Sequence, residues 1–313
     1  MFIRTANSKE DWELWDRKCL NSPFVSFISL SSWLAAFERI PFLNKYLVLL
    51  EENINQLNIV GGIAGLMVNI FGYSFYIFPS GPYIFDKAEY EKSYLKILFQ
   101  FLVLKKRKIY LNSDYLLNEI NSNFKAYKWK FPGLYPFPGF GLLNIPGTNL
   151  EDFISSRKSS TRRDIRASFR KGLEVLEIEN KEDLIIIYRQ LQQNAKRNNY
   201  RIKPFWWYKK MWSIQLDTGV GRFLYAIKDN DIKGAIWVIK CGQMYNYIMG
   251  ASKRETRDLQ VGYRLQAEMI KISIDEGLEF YNISIGGPKG VEKFKDDFGR
   301  EKVKLTCQYA SFL

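Results

Sequence analysis

Histidine is absent from the whole sequence. That removes Ser-His and Cys-His nucleophile pairs and the usual zinc ligand sets. Any catalysis therefore falls to Lys, Arg, Tyr, Asp, Glu, backbone amides or the substrate's own groups. Cysteine is scarce: Cys19, Cys241 and Cys307 are far apart and odd in number, which supports neither a disulfide framework nor a Cys-x-x-Cys metal site. No apolar run reaches the roughly 18–20 residues that span a bilayer. The opening MFIRTANSKEDW lacks a signal-peptide pattern, so a cytoplasmic location is expected. There is also no heptad array long enough for a protruding coiled-coil arm.

What is present is basic and aromatic. The net charge is +13, with 16% aromatic residues and 47% hydrophobic ones, enough to fill sizeable cores. Such a charge favours a polyanionic partner, namely RNA, a nucleotide, a phosphorylated glycan precursor or an anionic membrane face; the alternative is that a basic average aids solubility. The cations cluster: Arg157, Lys158, Arg162, Arg163, Arg166, Arg170 and Lys171 crowd together with Asp164 the only acid among them. On a helix, Arg162, Arg166 and Arg170 fall on one stripe at i, i+4 and i+8, while Ile165, Phe169 and Leu173 supply an apolar anchor. That stripe suits either phosphate binding or a solvated face.

A chain of 313 residues suits two domains of about 150 residues each. Periodicity and turn signals predict a mixed α/β first half, with strands at residues 2–5, 45–50, 57–69 and 73–78 and helices at 9–20, 31–39 and 90–106. Ser8 is the expected N-cap of the first helix. The mostly apolar helix at 90–106 fits a core position better than a membrane surface. Prolines and glycines make residues 131–148 the expected linker. A second mixed unit follows, with helices at 150–155, 161–171, 181–198, 204–215 and 261–276 and strands at 173–178, 222–227, 235–240, 244–249, 279–285 and 302–309. Domains at 1–145 and 146–313 are expected, with an element order that suggests an internal duplication.

Three segments carry candidate chemistry. Tyr245 and Tyr247 alternate along a strand, so both rings point to one side, beside the small residues Gly250, Ala251 and Ser252, which let a ligand approach the backbone; core packing explains such a pair more often than binding does. Gln260-Val-Gly262 is a degenerate echo of a phosphate-holding loop at a helix start. Phe294-Lys-Asp-Asp-Phe-Gly299 follows an apolar strand and a Gly-Gly turn, and sets Lys295 between Phe294 and Phe298 on one short helical turn. That lysine is either a surface residue or an ammonium partly desolvated by its aromatic neighbours.

The succession of the Arg-rich helix, the Gly-Ala-Ser strand, the Gly-Gly turn and the FKxxFG segment resembles the Fem family of peptidyl- and aminoacyltransferases. The resemblance covers roughly residues 20–310. It implies two tandem GNAT-type acyltransferase folds and acyl transfer to an amine. It further implies that Lys295, beside Phe294, stabilises the oxyanion or the leaving oxygen, that Tyr247 lines the cleft between donor and acceptor, and that Lys203 holds acceptor phosphates. Gly81 and Pro82, with Asp86, match the family's acceptor-side turn. Asp86, Asp297 or the substrate itself would remove the proton. The sequence departs from the family at Phe37, where some relatives carry a lysine, and at Asn282, where an acid is usual. The implied function is transfer of an aminoacyl or acyl group to an amine of a peptidoglycan or surface-glycan precursor, with aminoacyl-tRNA favoured as donor. The alternatives are an acyl-CoA-dependent N-acyltransferase acting on an amino sugar, and a silent RNA- or glycan-binding module. No cofactor or metal is expected beyond the donor; tRNA, a phosphorylated glycan or lipid-linked precursor and a peripheral membrane contact are the expected partners.

Overall fold

A computed structural model of the chain describes residues 2–52, 58–85, 91–105, 108–113, 125–126, 139–253, 259–304 and 307–312. The chain divides into two compact units, Met1–Pro138 with Lys304–Leu313, and Gly139–Val303. The first contains β1 (Phe2–Thr5), α1 (Lys9–Asn21), α2 (Ser31–Ala35), β2 (Leu43–Glu51), β3 (Ile59–Ile70), β4 (Tyr73–Phe78), β5 (Tyr83–Ile84), α3 (Glu91–Lys105), β6 (Lys108–Ser113) and β7 (Lys125–Ala126). The second contains β8 (Gly139–Asn144), α4 (Leu150–Ser155), α5 (Ser159–Arg170), β9 (Glu174–Glu177), α6 (Lys181–Arg197), α7 (Phe205–Thr218), β10 (Gly221–Lys228), β11 (Asp231–Cys241), β12 (Met244–Ser252), α8 (Val261–Asp275), β13 (Phe280–Asn282), α9 (Lys289–Asp297) and β14 (Glu301–Lys304); β15 (Cys307–Phe312) closes the chain.

Each unit is built on one mixed sheet, ordered β1-β2-β3-β4-β6-β15-β7 with β5 on β3, and β14-β8-β13-β12-β11-β10-β9. The two share a plan. An antiparallel meander leads to a parallel pair, β4 with β6 in one unit and β12 with β13 in the other. A helix, α3 or α8, makes each crossover, as parallel neighbours require. The far side of each pair is then taken by an antiparallel strand, β15 beside β6 and β8 beside β13. The duplication suggested by element order is thus present as topology.

Three sequence expectations are corrected here. Part of the expected linker at 131–148 is strand β8, whose Phe140, Leu142 and Leu143 are buried; the Pro- and Gly-rich stretch hid a strand, and Gly141 is there because Ser284 O lies 2.3 Å from where its Cβ would be. The single strand expected at 302–309 is two strands, β14 and β15, in different sheets. Helix α2 stops at Ala35 rather than Arg39, and the chain goes on in i→i−3 turns towards Pro41, a residue that disfavours helix before it. In α3, Tyr94, Leu95 and Leu98 are buried, so this helix belongs to the core.

Helix α1 starts on a capping box, in which Ser8 Oγ accepts from Asp11 N at 3.3 Å and Asp11 Oδ2 accepts from Ser8 N at 3.2 Å. Its Trp12, Trp15 and Cys19 are buried at i, i+3 and i+7 spacing. Arg4 on β1 ties this helix to the sheet, donating to both Asp11 oxygens at 2.8 and 2.6 Å and to Glu51 Oε1 at 2.7 and 2.9 Å. Held by Arg4, the Asp11 carboxyl has its pKa lowered to about 2. A carboxylate with a depressed folded pKa stabilises the fold above its ordinary value of 3.8, and that contribution is lost as pH falls through the folded value. Asp11→Asn is expected to lower the urea midpoint near neutral pH and to shrink the loss of stability between about pH 4 and 2. Parallel midpoint-versus-pH curves for wild type and variant would show that the Arg4 network does not couple to protonation.

Candidate active site

The site forms where β12 and β13 part. Their parallel pairing lasts only three residues, Met244 with Phe280, Tyr245 with Tyr281 and Asn246 with Asn282. An amide pair closes it: Asn282 Nδ2 donates to Asn246 Oδ1 at 2.8 Å. Asn282 Oδ1 accepts from Gly141 N at 2.8 Å and from Ser284 N at 2.9 Å. Asn246 Nδ2 faces the carbonyls of Ile239, Cys241 and Met244 at 3.0–3.3 Å. Asn in place of an acid at 282 is therefore a structural choice, since a carboxylate has no N–H to give Asn246.

Beyond this pair the strands diverge. β12 continues to Ser252 with a bulge, since Tyr247 faces Val238 and Met249 faces Trp237 while Ile248 is left unpaired. β13 ends, and the chain turns through Ser284 at φ +64, Gly286 at φ +85 and Gly287 at φ +127, left-handed conformations that favour glycine. Helix α9 follows, nine residues long rather than the single turn expected.

Lys295 of α9 fills the fork. Only 4% exposed, its ammonium donates to Ser284 Oγ at 2.7 Å and Gly286 O at 2.9 Å on one arm. Nζ lies 5.5 Å from the Tyr247 ring centroid on the other arm, within cation–π range. Among the described residues no carboxylate lies within ion-pair distance of it, because the nearby acids are engaged by Arg300. That guanidinium bonds Glu292 at 2.7 Å and Asp296 at 2.9 Å and donates to Ser284 O at 2.5 Å. Burial, reinforced by the charge of Arg300, pulls the Lys295 pKa down from 10.5 to about 8.

The surroundings are aromatic. Phe294 packs edge-on against Tyr263 at 5.0 Å and Phe298 at 5.3 Å, and Tyr263 stacks on Phe298 at 5.4 Å. Phe294 thus helps seat α9 against α8. The Tyr247 hydroxyl occupies space kept open by Gly250, whose Cβ would lie 2.8 Å from it, and burial raises the Tyr247 pKa. Tyr245 shares that face but is committed elsewhere, donating to Glu276 at 2.8 Å and accepting from Arg222 at 3.0 Å.

The Arg-rich segment proves partly structural. Arg157 donates to Phe298 O at 2.8 Å, Thr161 to Asp297 O at 2.6 Å, and Lys158 pairs with Asp297, so the start of α5 clamps the end of α9. Arg162 donates to Arg157 O at 2.8 Å, and the exposed Arg166 pairs with Glu151. Lys203 precedes α7 in this unit, and burial lowers its pKa. Gly81 and Pro82 lie in the first unit, at the turn between β4 and β5, where Gly81 has φ +100 and the Gly81–Pro82 bond is cis. Asp86 lies outside the described residues. Sequence reasoning missed Ser284, Gly286 and Arg300; a serine two residues ahead of the Gly-Gly pair and a basic residue after FKxxFG were the available signals. Among the described residues no group of His, Cys, Asp or Glu could hold a metal ion.

Asn282→Asp is expected to cost about 1–3 kcal/mol in urea denaturation, the penalty for a buried acceptor left facing another acceptor. Asn246 cannot flip to compensate without losing the carbonyls its amide serves. A variant as stable as wild type would show that the amide pair does not hold the fork.

Residues 155–296 match the model of the acetyltransferase (GNAT) domain family. The fold is similar to that of FemX, with a TM-score of 0.79 at 13% identity over 99% of this chain and 97% of that one. It is also similar to the C-terminal domain of a protein assigned as a lysylphosphatidylglycerol synthetase from Agrobacterium fabrum, with a TM-score of 0.55 at 14% identity over 97% and 92%. A tandem GNAT protein from the clavulanic acid biosynthesis pathway follows with a TM-score of 0.51 at 9% identity over 99% and 98%. No curated protein matches the chain by sequence. Residues 155–296, around the Lys295 fork, are thus a GNAT-type acyltransferase domain, and the chain as a whole has a fold like that of FemX, with a unit of the same topology before that domain.

Proposed function

We propose that this acyltransferase moves an aminoacyl group from aminoacyl-tRNA to an amine of a cell-envelope precursor, a peptidoglycan or surface-glycan intermediate. The observation that carries the reading is the Lys295 ammonium, buried in the fork without a carboxylate partner and with two of its three N–H donors used within the chain. An uncompensated buried charge is costly, and a cation kept at that cost suits an anion that forms during reaction. A neutral amine attacks the ester carbonyl carbon, the C–N bond forms and negative charge builds on the carbonyl oxygen. Collapse breaks the C–O bond to the ribose, and the proton lost by the amine ends on the ribose oxygen. Lys295 stabilises the developing charge. With Asp297 held by Lys158, the proton passes within the substrates.

In this reading Lys203, Arg162 and Arg166 meet phosphates and Tyr247 lines the path of the reacting groups. Gly81, Pro82 and Asp86 serve the acceptor, and the reaction is cytoplasmic, where the donor is made. The Fem-like fold supports the donor class, as does the likeness to the C-terminal domain of a protein assigned as a lysylphosphatidylglycerol synthetase. A second reading, acyl-CoA as donor to an amino sugar, is favoured by the acetyltransferase match and by Gln260 at the start of α8. Purifying the chain and identifying co-purified tRNA or coenzyme A separates the two.

Lys295→Met is expected to slow single-turnover transfer at saturating donor by about 10²–10³-fold while leaving donor affinity near that of wild type. With a pKa of about 8, the ammonium is charged at neutral pH and discharges as pH rises past that value. The wild-type rate should therefore fall on the alkaline side, and this limb should vanish in Lys295→Met. Equal rates for the two proteins would remove Lys295 from the chemistry.

Arg162→Ala with Arg166→Ala is expected to weaken tRNA binding and to reduce the slope of log affinity against log salt by about 1–2. An exposed ion pair such as Arg166 with Glu151 is weak enough for phosphate to replace it. An unchanged slope would leave both arginines with purely structural partners.

A further inference from the structure

The first unit carries an aromatic tip that its own core does not use. Strands β3 and β4 are joined by Phe71 and Gly72, both with positive φ, at +50 and +79. Two positive φ values make a type I′ turn, which favours Asn or Asp at its first position. The chain instead places there a phenylalanine that is 96% exposed. Its neighbours continue the theme: Tyr73 is 60% exposed and Ile70 42%. Phe42, 68% exposed, is fastened beside them by Asn69 N donating to its carbonyl at 3.1 Å, and Ile40 precedes it at 37%. A Cβ added at Gly72 would meet nothing within 4 Å, so the turn stands clear of the fold.

The tip also lacks charge. From residue 53 to residue 85 the sequence contains no Asp, Glu, Lys or Arg, in a chain that is 25% charged. We propose that this tip dips into the surface of an anionic lipid bilayer, with Phe71 and Phe42 as the inserted rings and Tyr73 at headgroup depth. A ring almost fully exposed on a two-residue turn is convex, and a fluid acyl layer can close around it from all sides. Tyr and other aromatic rings favour the membrane–water boundary. The net charge of +13 supplies attraction to anionic headgroups, and no carboxylate in the run opposes it. Lasting attachment takes two weak signals together, here apolar insertion and cationic charge. The inference is independent of the acyl-transfer reading: transfer to a soluble acceptor can persist when vesicle binding is lost.

The test is flotation of the full chain with vesicles of phosphatidylcholine alone and with about one-third phosphatidylglycerol. Wild type should float with the anionic vesicles and weakly with the neutral ones. Phe42→Ser with Phe71→Ser should cut the partition coefficient at least about tenfold. Its melting temperature should match wild type, because both rings are exposed in the fold. Phe71→Trp should bind at least as well as wild type, which separates an inserted ring from a general loss of structure. Equal flotation of wild type and the double serine variant would overturn the proposal, as would no flotation of wild type. Sedimentation velocity revealing a dimer that the serine variant abolishes, with no change in vesicle binding, would assign the tip to a second copy of the chain instead.

Discussion

The constraint on which the candidate site depends is the early end of one strand pairing. Three residues of β13 pair with β12, and the amide pair of Asn246 and Asn282 is the last link. Because Asn282 Oδ1 is shared between Gly141 N and Ser284 N, one side chain fixes three things: the end of the pairing, the seat of β8 and the left-handed turn at Ser284. The fork is thus imposed by hydrogen-bond satisfaction in a dry interior, where an unmet amide is expensive. A carboxylate at position 282 could still accept from both backbone amides but would set an acceptor against Asn246 Oδ1, and the link to β12 would be lost.

Electrostatics then decides what occupies the fork. Arg300 and Lys295 are both cations near the same acids, and Arg300 takes them: its side chain is fully buried and bonds Glu292, Asp296 and a loop carbonyl together. A planar guanidinium serves several acceptors at fixed angles better than an ammonium does. Lys295 is left with neutral oxygens and an aromatic face, which hold its position without cancelling its charge. The clamp from Arg157, Lys158 and Thr161 onto the end of α9 keeps this helix in register, so the cation is preorganised rather than recruited.

Much of the fold was legible in the sequence because its elements obey simple periodicities. The β3–β4 hairpin, helix α1 with its Ser8 cap and the α8 crossover fall within a residue or two of their expected bounds. Strand β8 was not legible, because Gly141 and its Pro- and Gly-rich surroundings read as linker while the reason for the glycine, the close crossing of Ser284, lies far along the chain. The same limit applies to the site. Lys295 announced itself through flanking aromatics, but Ser284 and Arg300 act through tertiary contacts that no local spacing encodes. In the Arg-rich segment, the clamp of Arg157 and Lys158 on the end of α9 is likewise a tertiary contact that a helix-face pattern does not encode.

The absence of histidine narrows the chemistry at this fork. Acid–base catalysis works best with a group that titrates near the working pH, and burial drives Tyr247 away from that range. Lys295, brought down to about 8, is the side chain of the fork nearest to it. Yet a lysine charged at neutral pH is an acid and an electrostatic partner, not a base, so the fork favours a reaction whose attacking amine arrives neutral or loses its proton to the leaving oxygen. Transfer from an activated ester or thioester meets that demand, because the leaving group accepts a proton as the bond breaks. The fork is therefore suited to aminolysis of an activated acyl donor, and poorly suited to hydrolysis, which would require a base to activate water.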